Sequence, residues 1–487
     1  MMYNHPSSVL SQPSSMSNVI PTEAKPALDY LESAFTKPHY DVRASDTKYE
    51  YYWPISGTRN TTCLRYTIPH CNQGQMVPDL NKLVLAPEIK ITNRNKNGIP
   101  PVLNFDSGPC NNFMTSIFSS LRISFNTTTV LKLEHYPIYS YLRLKLNCDN
   151  TDLATWATNR LFYDEGPKEN LDTVDTAGWT KRRSVFGGKV TAPDKIPNPS
   201  GSGEIPNPEL GKFKYGTFPV FFIGTLDHFL PQPPFLANTD IHIELELSKP
   251  SYVFQSKTDI MTDINFDFEK CRLFVPKTKL SDKLFVQLES RLAKESMRQY
   301  FVATQLNTYS ISGNNKTATF DCIANGYKPS RLYLALQETD RLNGKFSLNA
   351  LKFPRKYGKG DNHFMLKNVR VTLQGEEVEG LQADQDGNSF KDEYFRLFHL
   401  TKQDTGRNAC GMTFENWSEN TCFLIYDFTA TLNGTEPPLL PLVKDGHIRV
   451  ELTFTQPTKL PLTLICMTEL QSSLTIEPGG KVSVTTI

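Results

Sequence analysis

Ile264-Asn265-Phe266-Asp267-Phe268-Glu269-Lys270-Cys271-Arg272-Leu273-Phe274-Val275-Pro276 is the stretch on which the fold turns. Ile264, Phe266 and Phe268 alternate with Asn265, Asp267 and Glu269, and Leu273 and Val275 carry the period of two on to Pro276, which stops it. This marks the last strand of a β-rich half. After Ser281, read as an N-cap, the period changes: Leu284, Phe285, Leu288 and Leu292 fall on one helical face, with Lys283, Gln287, Arg291 and Lys294 elsewhere. A helix with a single apolar stripe needs a surface to cover. Residues 277–298 are therefore expected to form a connecting helix packed as a bracket between two halves, rather than a flexible linker.

Composition supports two halves. A chain of 487 residues and 55.2 kDa exceeds what one core usually serves, so two domains of roughly 200 residues plus tails are expected. Its 52 basic and 51 acidic residues give no global field to hold a polyanion, which argues against a dedicated, sequence-specific nucleic-acid binder. Nine widely spaced cysteines without a CxxC read as reduced, buried thiols in a protein assembled inside a cell. No charged start followed by an apolar run suggests a secretory leader, and no run approaches the 18 or so apolar residues of a membrane span.

Residues 1–46 open as a Ser- and Pro-rich arm, expected to be flexible because such composition buries too little apolar surface. Short alternating strands follow from Tyr49, among them a hairpin in which Leu121, Ile123 and Phe125 lead through Thr127 to Thr129 into Val130 to Glu134. A helix is predicted over Asp152 to Tyr163, anchored by Trp156. If Trp156 plugs a sandwich end, Trp156→Ala is expected to cost about 3 to 5 kcal/mol. Residues 166–216 are dense in Gly, Pro and charge and read as a long loop insertion; within it Lys181, Arg182 and Arg183 read as a solvated loop, or else as a basic contact.

The two halves also match in order. Ile55-Ser56-Gly57 recurs as Ile311-Ser312-Gly313, Arg122-Ile123-Ser124-Phe125 as Arg370-Val371-Thr372-Leu373, Tyr141-Leu142-Arg143-Leu144 as Tyr394-Phe395-Arg396-Leu397, and Ile243-Glu244-Leu245 as Val450-Glu451-Leu452. The offset is about 250 for the first three pairs and about 207 for the fourth, which places an insertion in the first half between Leu144 and Ile243. The expected fold is all-β: two tandem jelly-roll β-sandwiches, 47–276 and 299–487, joined by a short amphipathic helix.

Tyr136-Pro137-Ile138-Tyr139-Ser140-Tyr141-Leu142-Arg143-Leu144-Lys145-Leu146-Asn147 resembles the tyrosine-rich segment of the double jelly-roll major capsid proteins of Polinton/Maverick elements and adintoviruses. Tyr52-Trp53-Pro54-Ile55-Ser56, Asn325 to Leu332, Leu373 to Val378 and Ile448 to Leu452 are similar to the same family in the same order. The resemblance implies a capsid subunit, with homotrimers forming pseudo-hexameric capsomers in an icosahedral shell of a dsDNA virus. It implies self-association, penton or minor capsid partners, location in a virion assembled inside the host cell, and no cofactor. Two domains times three give six similar sides, which suits a hexagonal lattice. If the connecting helix is packed as that bracket, Leu288→Asp would bury an unpaired charge and is expected to cost several kcal/mol and to prevent soluble trimers.

Catalysis finds little in the sequence. His242, Glu244 and Glu246 share one strand face and could suit a metal, yet they read equally as the polar side of a strand; His447, Arg449 and Glu451 repeat the pattern. No HxxxH, HExxH, GxSxG or P-loop is present, so no catalytic, metal or cofactor residue is assigned and the chain is not expected to be an enzyme. The alternatives are a tandem-sandwich carbohydrate-binding protein or hydrolase, which would want a secretory route and paired cysteines, and a domesticated capsid homologue.

Overall fold

A computed structural model of the chain describes residues 44–487 except 59–60, 71–75, 94–106, 166–169, 175, 190–194, 198–203, 207–212, 216–217, 229–238, 258–263, 322, 359–362, 379–388, 402–411, 430–445 and 487. The N-terminal arm expected over 1–46 lies almost wholly outside these.

Before residue 281, β1 (Ala44–Tyr52), β2 (Cys63–Ile68), β3 (Val84–Asn93), β4 (Phe118–Phe125), β5 (Thr128–Glu134), the broken pair β6 (Val220–Phe221) and β7 (Gly224–Thr225), β8 (Ile241–Leu247) and β9 (Ile264–Leu280) form two sheets. One has the order β1-β9-β3 with β6 and β7 both on β3; the other has the order β2-β8-β4-β5. Alternation determines what faces inward: Ile264, Phe266, Phe268, Leu273 and Val275 of β9 are buried, as are Ile241, Ile243 and Leu245 of β8. The sheets meet face to face. Phe118 of β4 stacks on Phe268 of β9 at 6.2 Å between ring centroids, and the Tyr66 hydroxyl of β2 donates to the Cys271 carbonyl of β9 at 3.3 Å.

After residue 296 the plan repeats strand for strand. β10 (Met297–Ile311), β11 (Thr317–Phe320), β12 (Arg331–Glu338), β13 (Phe364–Leu373), β14 (Glu376–Val378), β15 (Phe423–Asp427), β16 (Ile448–Phe454) and β17 (Leu462–Ile476) give sheet orders β10-β17-β12-β15 and β11-β16-β13-β14, and a final strand β18 (Val482–Thr486) pairs with β17. The matched segments occupy equal places. Arg122 stands opposite Glu244 in the β4–β8 ladder and Arg370 opposite Glu451 in the β13–β16 ladder.

The structure also corrects the expected helices. Tyr141-Leu142-Arg143-Leu144 lies in helix α1 (Tyr136–Asn147), and its match Tyr394-Phe395-Arg396-Leu397 in helix α4 (Ser389–Leu400), both between the fifth and sixth strands of their sandwiches. Neither was expected as a helix. The helix predicted over Asp152 to Tyr163 is instead one turn at Asn150–Ala154 followed by a 3-10 turn at Trp156–Arg160. Trp156 is not a buried anchor; it is 39% exposed, with its indole N–H donating to Asp152 at 3.1 Å and the Arg160 guanidinium over its ring. Trp156→Ala is accordingly expected to cost no more than about 1 kcal/mol in a thermal melt, well short of a core deletion.

The insertion is not one solvated loop. Helix α2 (Ala177–Ser184) seats Trp179 and Arg182 in the interior, and beyond it Gly187–Lys189 pairs with Phe213–Tyr215 and Lys195–Pro197 with Glu204–Pro206 as two antiparallel strand pairs. The connecting helix exists as α3 (Asp282–Leu292), but it is not packed between the sandwiches. None of its residues is buried: Leu284, Phe285, Leu288 and Leu292 are half-buried and Val286 is exposed.

Candidate functional site

The chain's two sandwiches are held together by a polar clasp built on Asp172, which lies in the insertion between residue 170 and α2. Arg341, on the single turn after β12, grips both Asp172 carboxylate oxygens, Nη2 donating to Oδ2 at 2.9 Å. Lys352 Nζ reaches Oδ2 at 2.9 Å and the Asn349 backbone N–H donates to Oδ1 at 3.0 Å. Around this core, Asn349 Nδ2 donates to the Leu171 carbonyl at 3.2 Å and to Gln255 Oε1 at 3.2 Å, and Gln255 Nε2 donates to the Leu171 carbonyl at 2.9 Å. Burial alone would push the Asp172 carboxyl up. The hydrogen bonds and charges of Arg341 and Lys352 outweigh it and hold the group down at about 2.

A second contact joins the sandwiches beside the clasp. α1 presents Tyr139, within electrostatic reach of Glu469 on β17, and Tyr141, whose ring pairs with Phe353 at 6.5 Å. β5 lies against β10; Thr128 Oγ1 donates to the Val482 carbonyl at 3.0 Å and Asn126 Nδ2 to the Gly480 carbonyl at 3.1 Å. The outward side chains of β17 (Thr463, Ile465, Met467, Gln471, Ser473) and of β12 (Tyr333, Ala335, Gln337) are all buried. Along β17 and β12 the outer face of this sheet is largely covered, while Arg298, Tyr300, Thr308 and Ser310 of β10 stay exposed.

The equivalent surfaces elsewhere in the chain are open. On β9 the outward Asn265, Asp267, Glu269, Arg272 and Phe274 are none of them buried. Tyr49, Tyr51, Trp53 and Ile55, along β1 and just past it, are 62, 59, 50 and 71% exposed, with Tyr51 packed edgewise on Trp53 and beside Phe274. On α4, Asp392, Phe395 and His399 are exposed.

The basic triplet is not a solvated loop. Arg182 is fully buried on α2, with Nε donating to the Pro109 carbonyl at 3.1 Å, Nη1 to the Tyr163 carbonyl at 2.6 Å and Nη2 to Glu165 Oε1 at 2.6 Å. Arg183 is buried with its guanidinium over the Trp179 ring, and only Lys181 is exposed. Trp179 itself fills the space beside Gly108, where a Cβ would fall 2.8 Å from its ring. This is the anchor that Trp156 was expected to be. Its signal was present in Thr176, which caps α2 by accepting from the Trp179 N–H, but a window dominated by Gly and charge masked it.

The metal-like triads resolve into cross-strand pairs. Glu244 bridges Arg65 at 3.1 Å and Arg122 at 3.5 Å, Glu246 accepts from Ser120 at 2.9 Å, and His242 meets Thr67 at 3.0 Å. In the second sandwich Glu451 bridges Arg370 across the ladder at 3.8 Å and Arg449 along its own strand at 2.7 Å. Among the described residues no group of three or more His, Cys, Asp or Glu is arranged to hold a metal ion, and no helix is long and apolar enough to cross a membrane. Cys110, Cys271, Cys422 and Cys466 are free and buried, which pushes their thiols up and away from reactivity.

One buried acid stands apart. Glu393 of α4 is pushed from near 4.5 up to about 7, by burial first, with Arg396 at 3.5 Å opposing and Asp392 adding to the rise. The folded chain then keeps a proton that the unfolded chain has lost between about pH 4.3 and about 7. This contribution to stability is complete below that window and falls away as pH rises through it. Glu393→Gln is expected to flatten the fall in melting temperature across that range.

Comparison with known proteins bears on the whole arrangement. The chain is similar over 98% of its length to a protein in the cryo-EM structure of the Sputnik virophage, with a TM-score of 0.53, 12% identity and 93% of that chain covered. It is similar to the Faustovirus major capsid protein with a TM-score of 0.54 and 10% identity, covering 92% of this chain and 94% of that one. The fold is a double jelly roll. A third double jelly roll, from the PBCV-1 virus capsid, matches with a TM-score of 0.50 and 10% identity over 92% of this chain and 99% of that one. In sequence, an uncharacterized protein of Caenorhabditis elegans is 22% identical over 405 residues, 81% of this chain and 87% of that protein. No family model matches the chain.

Proposed function

We propose that the chain is a major capsid protein: a structural subunit, not an enzyme, that trimerises into pseudo-hexameric capsomers tiling the icosahedral shell of a dsDNA virus or virus-like element. The observation that carries this is the repeat of one jelly roll, strand for strand, over almost the full length of the chain, with fold neighbours among capsid proteins. A doubled sandwich lets three copies present six similar sides. The half-exposed stripe Leu284, Phe285, Leu288 and Leu292 of α3 is then a contact covered on assembly rather than an internal bracket. The strand pairs within 187–215 are a projection from the end of the first sandwich, where loops vary on a fixed scaffold.

The resemblance of the segments quoted above supports a place for the chain in the Polinton/Maverick and adintovirus lineage. Self-association, penton or minor capsid partners, a place in the virion and assembly inside the host cell follow from that assignment. The nematode relative favours one second reading, a capsid homologue carried in an animal genome. Negative-stain microscopy and light scattering of the purified protein test the first: trimers, three copies of 55.2 kDa at about 166 kDa, or closed shells are expected. A protein that stays monomeric at high concentration overturns it. Nuclease-protected DNA inside recovered shells separates a virion from a domesticated copy.

A further inference from the structure

We propose that Glu393 makes α4 a pH-sensitive element of the second sandwich: the helix docks on β15 while this carboxyl keeps its proton and loosens when the proton leaves. The device lies within one folded chain and does not depend on the capsid reading.

The internal repeat shows what sets this position apart. By the offset of about 253 residues between Tyr141 and Tyr394, Glu393 of α4 corresponds to Ser140 of α1. Ser140 is fully buried and fully engaged: its hydroxyl donates to Asp227 Oδ2 at 2.5 Å and accepts from Asn112 Nδ2 at 2.8 Å. Glu393 is the opposite case. Its side chain is 2% exposed, yet neither carboxyl oxygen has a hydrogen-bond partner. A protonated acid tolerates such a site far better than a carboxylate, whose charge would be enclosed without a donor.

The groups around it do not make good the loss. On α4 itself, Arg396 Nη1 comes to 3.5 Å from Oε1 without hydrogen-bonding to it, and the neighbouring Asp392 is exposed. β15 packs against α4 and brings Tyr426 within electrostatic reach; the Tyr426 hydroxyl is itself buried without a hydrogen-bond partner. Asp427 of the same strand accepts from the Thr429 N–H at 2.9 Å. Cys422, just before β15, is a buried thiol that burial pushes up to about 12, and the Arg355 guanidinium that opposes this lies over the Phe390 ring. The other neighbour, α5 (Phe414–Asn420), meets α4 through Phe414 and Trp417 against Tyr394, while its Glu415 and Glu419 are exposed.

Linkage then sets the direction. Burial first, with Asp392 adding and Arg396 opposing, places the docked carboxyl at about 7 against an ordinary 4.5 once released to water, so opening gains from proton release as pH rises. Phe395, 61% exposed, stands on the outer side of this helix, so a contact made there meets a firm helix below neutrality and a loosened one above.

Hydrogen exchange of the full chain at about pH 6 and about pH 8, corrected for the intrinsic rate of amide exchange, tests this. Protection of α4 is expected to fall about tenfold between the two, as a carboxyl at about 7 when docked and 4.5 when released requires, while α1 holds constant. Glu393→Gln, which copies the protonated shape, is expected to keep α4 equally protected at both. Arg396→Met removes the cation that favours the carboxylate and is expected to move the loss of protection to higher pH. The proposal is overturned by wild-type α4 equally protected at both pH values, by a fall that α1 shares, by a fall that persists in Glu393→Gln, or by a midpoint that Arg396→Met leaves in place or lowers.

Discussion

Asp172→Ala lowers the unfolding free energy by about 3 to 5 kcal/mol, read as a fall in the urea midpoint at neutral pH. Arg341 is almost fully buried and Lys352 nearly so, and both spend hydrogen bonds on this one carboxylate. Removing it leaves two largely buried cations, Arg341 with only Glu338 at 3.3 Å, and the cost comes from their lost partner more than from the contact itself. Asp172→Asn keeps the shape and one acceptor and should fall between the variant and the wild type. The pH dependence has a definite sign. Because the folded carboxyl is held at about 2 against an ordinary 3.8, its contribution is full above pH 3.8 and is lost as pH falls towards 2. Acid should therefore loosen the wild-type chain in this window by more than it loosens Asp172→Ala, which has lost only this carboxylate's share. An Ala variant within about 1 kcal/mol of the wild type would show that the clasp carries no weight.

Arg182→Ala is the second large effect, also about 3 to 5 kcal/mol. The guanidinium satisfies Glu165, itself 2% exposed, and two backbone carbonyls at once, so truncation leaves a buried carboxylate with only the Trp179 N–H at 3.2 Å and strips the Pro109 and Tyr163 carbonyls of this donor. The double variant Arg182→Met with Glu165→Leu should recover much of the loss, because an apolar pair of similar volume carries no desolvation penalty. Denaturant melts of the single and double variants decide this. A double variant as weak as the single one would show that the carbonyl bonds, and not the stranded charge, dominate.

The fold was legible wherever alternation is strict. β8 and β9 show their inward faces in the order of their letters, and the matched Arg–Glu positions of β4/β8 and β13/β16 were visible as a repeat before any coordinates. Helices were the weak point. α1 opens with Tyr136-Pro137 and is buried nearly all round, so the narrow polar stripe of Ser140, Arg143 and Asn147 is overshadowed by an aromatic run that reads as strand. α3 showed its stripe plainly, yet a stripe does not say what covers it, and the chain alone leaves it half-open. The clasp had no local signal at all. Asp172, Arg341 and Lys352 are brought together only because two sandwiches dock, across about 170 to 180 residues of sequence. The basic triplet misled for a related reason: three adjacent cations suggest solvent, whereas the turn of α2 sends Lys181 outward and Arg182 into the interior.

The pairing of β10 with β17 runs unbroken from Met297 against Ile476 to Ile311 against Leu462. A ribosome must therefore release the chain through Ile476 before the second sandwich can close, whereas every strand of the first has already emerged. Until then the nascent β10 and β12 have no central strand to pair with, and newly made copies crowded on one message are at risk of borrowing it from each other. A chain lacking Leu462–Ile476 would thus leave a folded first sandwich beside an open and aggregation-prone second one.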